Sequence, residues 1–258
     1  MKTLLLFDMD NTLTLSRGKI THEMKELIKS LDNSKYELGV VSGSDLNKIR
    51  EQLEEAVNHF TWIFTENGLV TYFAGHSQEL VKSDEIRHST PYSSTSLIKH
   101  LGEGNYQELV NECLWVLCET KLPVKRGVFL ELRTGLLNIC PVGRTCSQKE
   151  REEFEEYDKK HGVRERIVQQ LSLRLKHLKL KFSIGGQISI DCFPEGWDKT
   201  YCLQFIDGKY DEIKFYGDNI RPGGNDYEIG IDKRVKAYSV SNWKDTYELL
   251  LHESTHLT

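Results

Sequence analysis

The chain has no paired-cysteine motif. Its six cysteines are scattered over 258 residues, without a CxxC, which argues against a zinc ribbon or a disulfide framework and predicts reduced thiols in a cytosolic enzyme. An excess of positive charge is also missing. Thirty-four Lys and Arg against 39 Asp and Glu leave a net charge of -5, so there is no electrostatic footprint for nucleic acid or an anionic membrane. Long apolar runs are absent: the longest, near Leu4, is too short to cross a bilayer, and Met1 to Phe7 lack the length and cleavage site of a signal peptide. No internal repeat is visible. The expectation is a soluble, cytoplasmic, globular protein with room for one large domain or two modest ones.

What is present is order along the chain. Thr3–Phe7 reads as a strand, Thr21–Leu31 as a helix capped by Thr21, and Tyr36–Val41 as a second strand. Asp45–Val57 reads as a second helix and Trp62–Thr65 as a third strand. This βαβα alternation predicts a parallel sheet with ligands at the carboxyl ends of its strands. The rhythm changes after Val70. Ser83–Ser96 is serine-rich and polar, a linker or insertion by composition. Beyond it, Tyr106–Thr120 places Leu109, Cys113, Val116 and Leu117 on one helix face. Val128–Arg133 and Leu136–Cys140 read as strands joined by a Thr-Gly turn, and Ser147 with Glu150 forms a capping-box pattern. Glu165–Leu178 is a further helix, and Phe182–Phe193 a strand interrupted by Gly185-Gly186. Glu212–Tyr216 and Ala237–Val240 resume the short strands. The predicted fold is α/β: a Rossmann-like parallel-sheet core domain split by an inserted α+β cap domain.

Four segments carry chemistry, each after a predicted strand. In LLLFDMDNTLT an apolar strand delivers Asp8 and Asp10 to its own carboxyl end, an arrangement that is costly without a cation beside it. Asp8 is a candidate nucleophile, because a carboxylate can attack phosphorus once a metal screens the two anions. Asp10 is the candidate acid/base, and Asn11 suits a tight left-handed turn. Ser42 and Ser44, in VSGSD at the start of a helix, offer hydroxyls and N–H groups to a phosphate; alone, such a segment is only an N-cap. Lys199, in GWDK, could neutralise the nucleophile or its phosphorylated form. Asp218, in FYGD, stands where a metal-binding acid would, and the following Pro-Gly-Gly-Asn reads as a turn.

This ordered set of acid pair, hydroxyl, lysine and acid resembles the haloacid dehalogenase superfamily of aspartyl-phosphate enzymes. IGGQISIDCFPEGWDKTYCL, GLLNICPVGRTCSQKER and FYGDNIRPGGNDYEIG further resemble the eukaryotic phosphomannomutases, a branch with a large cap. The resemblance implies core segments at 1–84 and 188–258 around a substrate-binding cap at 85–187. It implies interconversion of mannose 6-phosphate and mannose 1-phosphate for GDP-mannose synthesis, with Mg2+, a hexose 1,6-bisphosphate activator and a homodimer formed through the cap. Asp8 and Asp10 would be the catalytic pair. Asp8, the carbonyl of Asp10, and Asp218 would hold the metal, while Gly230, Asp232 and Val235 match a further cation-binding loop. Arg17, Arg133, Arg144 and Arg151 match substrate-contacting arginines, and Ser189 and Asp191 match sugar-hydroxyl contacts. Asn11 stands where the family has glycine, the local sequence GIDKRV departs from the family's wording, and Ser83–Ser96 is longer than the usual entry to the cap.

The residues support parts of this directly. Alternation puts Glu131 and Arg133 on one strand face, and Ser189 and Asp191 on one face of another. Arg151 falls in the first turn of the Ser147-capped helix, where free N–H groups favour an anion, and arginine suits forked recognition of phosphate oxygens. Two other readings stand beside the mutase: a cap-bearing sugar-phosphate phosphatase using the same two aspartates, and a non-catalytic phosphosugar-binding protein on the same fold.

Overall fold

A computed structural model describes residues 2–74 and 90–255. In chain order its elements are β1 (Thr3–Phe7), α1 (His22–Ser30), β2 (Tyr36–Val41), α2 (Leu46–Leu53), β3 (Trp62–Thr65), β4 (Val70–Phe73), β5 (Ser93–Ser94), α3 (Leu97–Leu101), α4 (Glu103–Glu119), β6 (Leu130–Leu132), β7 (Leu137–Ile139), α5 (Gln148–His161), α6 (Val163–Arg174), β8 (Leu180–Gly185), β9 (Ser189–Pro194), β10 (Glu212–Gly217), α7 (Tyr227–Gly230), β11 (Lys236–Ser239) and α8 (Trp243–Thr255). They form two compact units: a core of Met1–Ser94 with Asp198–Thr258, and an inserted unit, Thr95–Trp197.

The core sheet runs β11-β10-β1-β2-β3-β4-β5. The strands from β11 to β3 are parallel, and β4 and β5 continue the sheet antiparallel. Leu4, Leu5, Leu6 and Phe7 are all fully buried, as a central parallel strand covered on both faces requires. Leu5 and Phe7 pack among residues of α1, α2 and α8, while Leu4 and Leu6 join Phe64, Leu203 and Phe215 on the opposite face. The chain leaves β1 for β2 on one side and returns as β10 on the other. Order therefore reverses at β1, which is where a ligand crevice forms in such sheets.

The helices begin where their caps stand. The Thr21 hydroxyl accepts from the Met24 N–H at 3.3 Å, and the Asp45 carboxylate from the Lys48 N–H at 2.9 Å. The predicted helix over Asp45–Val57 breaks at Glu54, whose φ of 50° leaves the right-handed region. The chain then continues as a 3-10 helix over Glu54–His59.

The inserted unit has its own antiparallel sheet, β6-β7-β9-β8. Its apolar face, including Leu137, Ile139, Ile190 and Cys192, packs with Leu109, Cys113 and Val116 of α4 and with Ile167 and Leu171 of α6. Ser147 opens α5 with a complete capping box with Glu150. Two expectations are corrected here. The single strand predicted over 182–193 is a hairpin of β8 and β9, turned at Gly186 with φ 54°. Because β9 pairs with both β7 and β8, the second boundary lies after Trp197 and not at 187, and Ser189 to Pro194 belong to the insertion. The predicted first boundary, at 84, falls outside the described residues, as does Ser83–Ser96 up to position 89. All six cysteines are free, and Cys118 alone among them is exposed.

Candidate active site

A cavity of about 270 Å³ is lined by Asp8, Asp10, Ser42, Gly43, Ser44, Asp218, Asn219 and Asn225. Sheet register assembles it. Phe7 of β1 lies beside Tyr216 of β10 and Val40 of β2, so Asp8, Asp218 and Ser42 leave three adjacent strands at one edge. The Asp8 N–H donates to the Tyr216 carbonyl at 2.9 Å.

Lys199 is 2 % exposed. It opens a 3-10 helix, Lys199–Phe205, whose N-cap Asp198 accepts from the Thr200 N–H at 3.0 Å. A buried ammonium persists only when paired, and its Nζ donates to Asp8 Oδ1 and, at 2.5 Å, to Asp226 Oδ1. Burial opposes the lysine's charge, but the two carboxylates outweigh it and hold Lys199 protonated above the ordinary lysine range. Burial pushes the Asp8 carboxyl up to about 6, with the lysine opposing that shift and Asp226 reinforcing it.

Asp226 is a site residue the sequence reading passed over within a predicted turn. It is fully buried, and its Oδ2 accepts from the Asn219 N–H at 3.2 Å. Gly217 makes room for it: a Cβ there would stand 2.7 Å from Asp226 Oδ2. Asp8, Asp218 and Asp226 each bring a carboxylate oxygen within 4.8 Å of the others. Three acids around one lysine leave an excess of negative charge, and the all-oxygen donor set suits a hard divalent cation such as Mg2+.

Asp10 is held separately, its Oδ1 accepting from the Arg17 N–H at 2.6 Å and from Gln52 Nε2 at 2.9 Å. Arg17 itself is exposed, with φ 56°. Asn11 takes φ 59°, the left-handed turn expected of it, and its Nδ2 donates to Asp218 Oδ2 at 3.0 Å. Ser42 Oγ accepts from the Ser44 N–H at 3.1 Å, which rigidifies the loop between the two serines.

Gly230 ends α7, and Asp232 and Val235 lie in the turn that follows it, outside this cluster. The Asp232 carboxylate is gripped by Arg234 through Nε at 2.9 Å and Nη2 at 2.7 Å, which holds its carboxyl below the usual range. The Asp232 carbonyl accepts from the Val235 N–H at 3.2 Å.

Within the inserted unit, the polar face of the sheet joins most of the remaining predicted residues. Glu131 accepts from Arg133 Nη2 at 3.0 Å and lies 3.2 Å from Arg144 Nε. Arg144 Nη1 donates to Asn138 Oδ1 at 2.6 Å, and Asn138 Nδ2 donates to Asp191 Oδ1 at 2.6 Å. Arg151 Nη2 donates to the Arg144 carbonyl at 3.0 Å. Ser189 is turned into its own hairpin, donating to the Gly185 carbonyl at 3.2 Å. The buried Asn138 links the arginines to Asp191. Its signal in the sequence was a polar residue between two core positions, Leu137 and Ile139.

Residues 24–253 match the family model described as eukaryotic phosphomannomutase. The chain belongs to the eukaryotic phosphomannomutase family. It is 46 % identical over 251 residues to phosphomannomutase 1 of Dictyostelium discoideum, covering 96 % of this chain and 95 % of the relative. It is 43 % identical over 251 residues to the phosphomannomutase of Drosophila melanogaster, covering 96 % and 93 %. Among solved structures, a Plasmodium falciparum IMP-nucleotidase superposes with a TM-score of 0.60 at 16 % identity, over 99 % of this chain and 68 % of that one. An Aspergillus fumigatus trehalose-6-phosphate phosphatase gives 0.59 at 13 % identity, over 97 % and 92 %. At such low identity these two share the fold alone: a parallel core sheet with an inserted cap. The two fold neighbours thus agree with the α/β architecture read from the chain.

Proposed function

We propose that this protein is a phosphomannomutase interconverting mannose 6-phosphate and mannose 1-phosphate through an aspartyl-phosphate and a hexose 1,6-bisphosphate, supplying mannose 1-phosphate for GDP-mannose synthesis. The observation that carries the reading is the buried Asp8–Lys199–Asp226 cluster beside Asp218, of which Asp8 and Asp218 line the same cavity as Asp10. Membership of the eukaryotic phosphomannomutase family supports it.

In this reading phospho-Asp8 gives its phosphoryl group to the free hydroxyl of a bound hexose monophosphate. The O–P bond to Asp8 breaks as the bond to the sugar oxygen forms, and Asp10 takes the hydroxyl proton. The bisphosphate turns over, its other phosphate passes to Asp8, and Asp10 returns the proton. Lys199 balances the carboxylate charge that Asp8 regains at each transfer. Asp8, Asp218 and the carbonyl of Asp10 would hold Mg2+, which supplies electrostatic screening between the nucleophile and the phosphoryl oxygens. Ser42 and Ser44 serve the transferring phosphate, Arg17 contacts the substrate beside the nucleophile loop, and Arg133, Arg144 and Arg151 serve the distal phosphate, with Ser189 and Asp191 on the sugar hydroxyls. Arginine charge meets a demand that is the same whichever end of the hexose faces it. Gly230, Asp232 and Val235 remain the proposed second cation loop. The partners are small hexose phosphates and a second copy of the chain, joined through the cap. A cytoplasmic location without nucleic acid or membrane completes the reading. No helix among the described residues is long and apolar enough to cross a membrane.

The test is a coupled assay on mannose 1-phosphate, with and without hexose 1,6-bisphosphate, run beside inorganic phosphate release. Conversion stimulated by the bisphosphate is expected, with Asp8→Asn abolishing turnover while ligand binding persists. Fast phosphate release without isomerisation would identify a phosphatase instead. Equal turnover by the wild type and the Asp8→Asn protein would refute the catalytic role of Asp8, and ligand binding without turnover in the wild type would leave only the non-catalytic binder.

A further inference from the structure

Gln52 is a polar side chain on an apolar helix face. The buried positions of α2 are Ile49, Gln52 and Leu53, and Gln52 is 2 % exposed. Its Nε2 donates to Asp10 Oδ1 at 2.9 Å and to the Gly18 carbonyl at 3.2 Å, and it lies 3.3 Å from Thr14 Oγ1. The Thr14 hydroxyl donates to the Leu15 carbonyl at 2.9 Å, so it meets Gln52 as an acceptor. These acceptors fix which way the amide is turned. An amide oxygen in the same place would face a carboxylate and a carbonyl with no hydrogen between them.

The backbone of Gln52 holds the same loop, its carbonyl accepting from the Ile20 N–H at 2.8 Å. One residue thus closes the segment from Asp10 to Ile20 from both side chain and main chain. The Arg17 N–H, donating at 2.6 Å, is the second donor on Asp10 Oδ1. A carboxylate oxygen that already receives two N–H donors is a poor place for a proton, because the added hydrogen would point at other hydrogens.

We propose that Gln52 is a positioning residue for the acid/base step: with the Arg17 N–H it saturates Asp10 Oδ1, leaving Oδ2 as the atom that exchanges the proton with the sugar hydroxyl. This rests on the reading of Asp10 as acid/base given above. As the sugar oxygen bonds to phosphorus and the phosphorus–Asp8 bond breaks, the hydroxyl proton passes to Oδ2. It returns from Oδ2 in the reverse transfer. A carboxylate free to rotate would present either oxygen and lose the alignment such a transfer needs.

The test is a double-mutant cycle on the full-length protein, read as kcat and KM for mannose 1-phosphate with hexose 1,6-bisphosphate present. Gln52→Met is expected to lower kcat between about 10- and 100-fold while moving KM by less than about twofold. In an Asp10→Asn background the same change should cost less than about twofold, since it acts through the residue already removed. Equal losses in the two backgrounds would mark Gln52 as merely structural and overturn the proposal. An Asp10→Asn protein with full activity would instead sink the acid/base reading itself. Gln52→Glu keeps the shape of the side chain and guards against a folding failure. Its carboxyl donates only when protonated, so its kcat relative to wild type should rise as pH falls, and a flat ratio counts against the proposal.

Discussion

Lys199 is the residue on which the site's charge balance turns, because among the described residues it alone brings a full positive charge to Asp8 and Asp226. Lys199→Met would leave two buried carboxylates facing each other, a loss of about 3–5 kcal/mol for a broken buried ion pair. Urea unfolding should register that loss, and adding Asp226→Asn should recover part of it by removing one charge. The sequence showed this lysine as a candidate only by its place after a strand, since an exposed lysine in a first helical turn would look the same. Asp226 was harder to see. Its neighbours, Pro222, Gly223, Gly224 and Asn225, all speak for a turn, and nothing local says that the turn folds back onto Lys199. Gln52 did leave a trace, as the one polar side chain beside Ile49 and Leu53 on the buried side of α2. Its meaning needed Asp10, 42 residues away.

At the scale of elements, the hairpin of β8 and β9 depends on a guanidinium. Arg164 is buried, with Nε 2.7 Å from Asp158 Oδ2 and Nη1 donating to the carbonyls of Gly186 at 2.9 Å, Ser189 at 3.2 Å and Gly185 at 3.3 Å. It fastens the turn that carries Ser189 and Asp191 to the start of α6. Arg164→Met should destabilise the inserted unit by about 3–5 kcal/mol, because Asp158 is left buried and unpaired. Denaturant unfolding measures the loss, and amide exchange should quicken first between Gly185 and Ser189. Strands β1, β2 and β3 and the caps at Thr21 and Ser147 were legible because local rules decide them: apolar runs, a hydroxyl at a helix start, a glutamate three residues on. The break of α2 at Glu54 was not, since Glu54 is an ordinary helix former. Its positive-φ backbone accompanies ion pairs to Lys19 at 2.7 Å, from the loop before α1, and to Lys25 at 2.5 Å, from α1 itself. Gly185-Gly186 was visible as an interruption, but only the pairing of β9 with β7 reveals which unit the second half joins.

For the molecule as a whole, each hydrophobic cluster lies inside one unit. Leu5, Phe7 and Tyr216 share a cluster of the core, whereas Leu109, Ile167 and Ile190 share one of the insertion. Residues 95–197 therefore hold a complete interior. Expressed alone, they should unfold in one cooperative transition by calorimetry; a broad, non-cooperative melt would show that the interior needs the core to set. The α/β class and the presence of an insertion were readable from the change of rhythm after Val70. The position of its far edge was not, because it is decided by a strand pairing between distant segments.

The interleaving of the core carries a consequence for how the chain is made. Asp8 emerges early from a ribosome, but its partner Lys199 follows 191 residues later, roughly 10–40 s at ordinary synthesis rates. Throughout that interval β1 lacks its neighbour β10, and its acid has neither lysine nor Asp218. The insertion, whose segments are contiguous, is complete well before the core can close. Growth along the chain thus sets an order in which the arginine-bearing unit matures first and the proposed phosphoryl-transfer centre is finished almost last, so a polypeptide cut short before Lys199 lacks the assembled cluster.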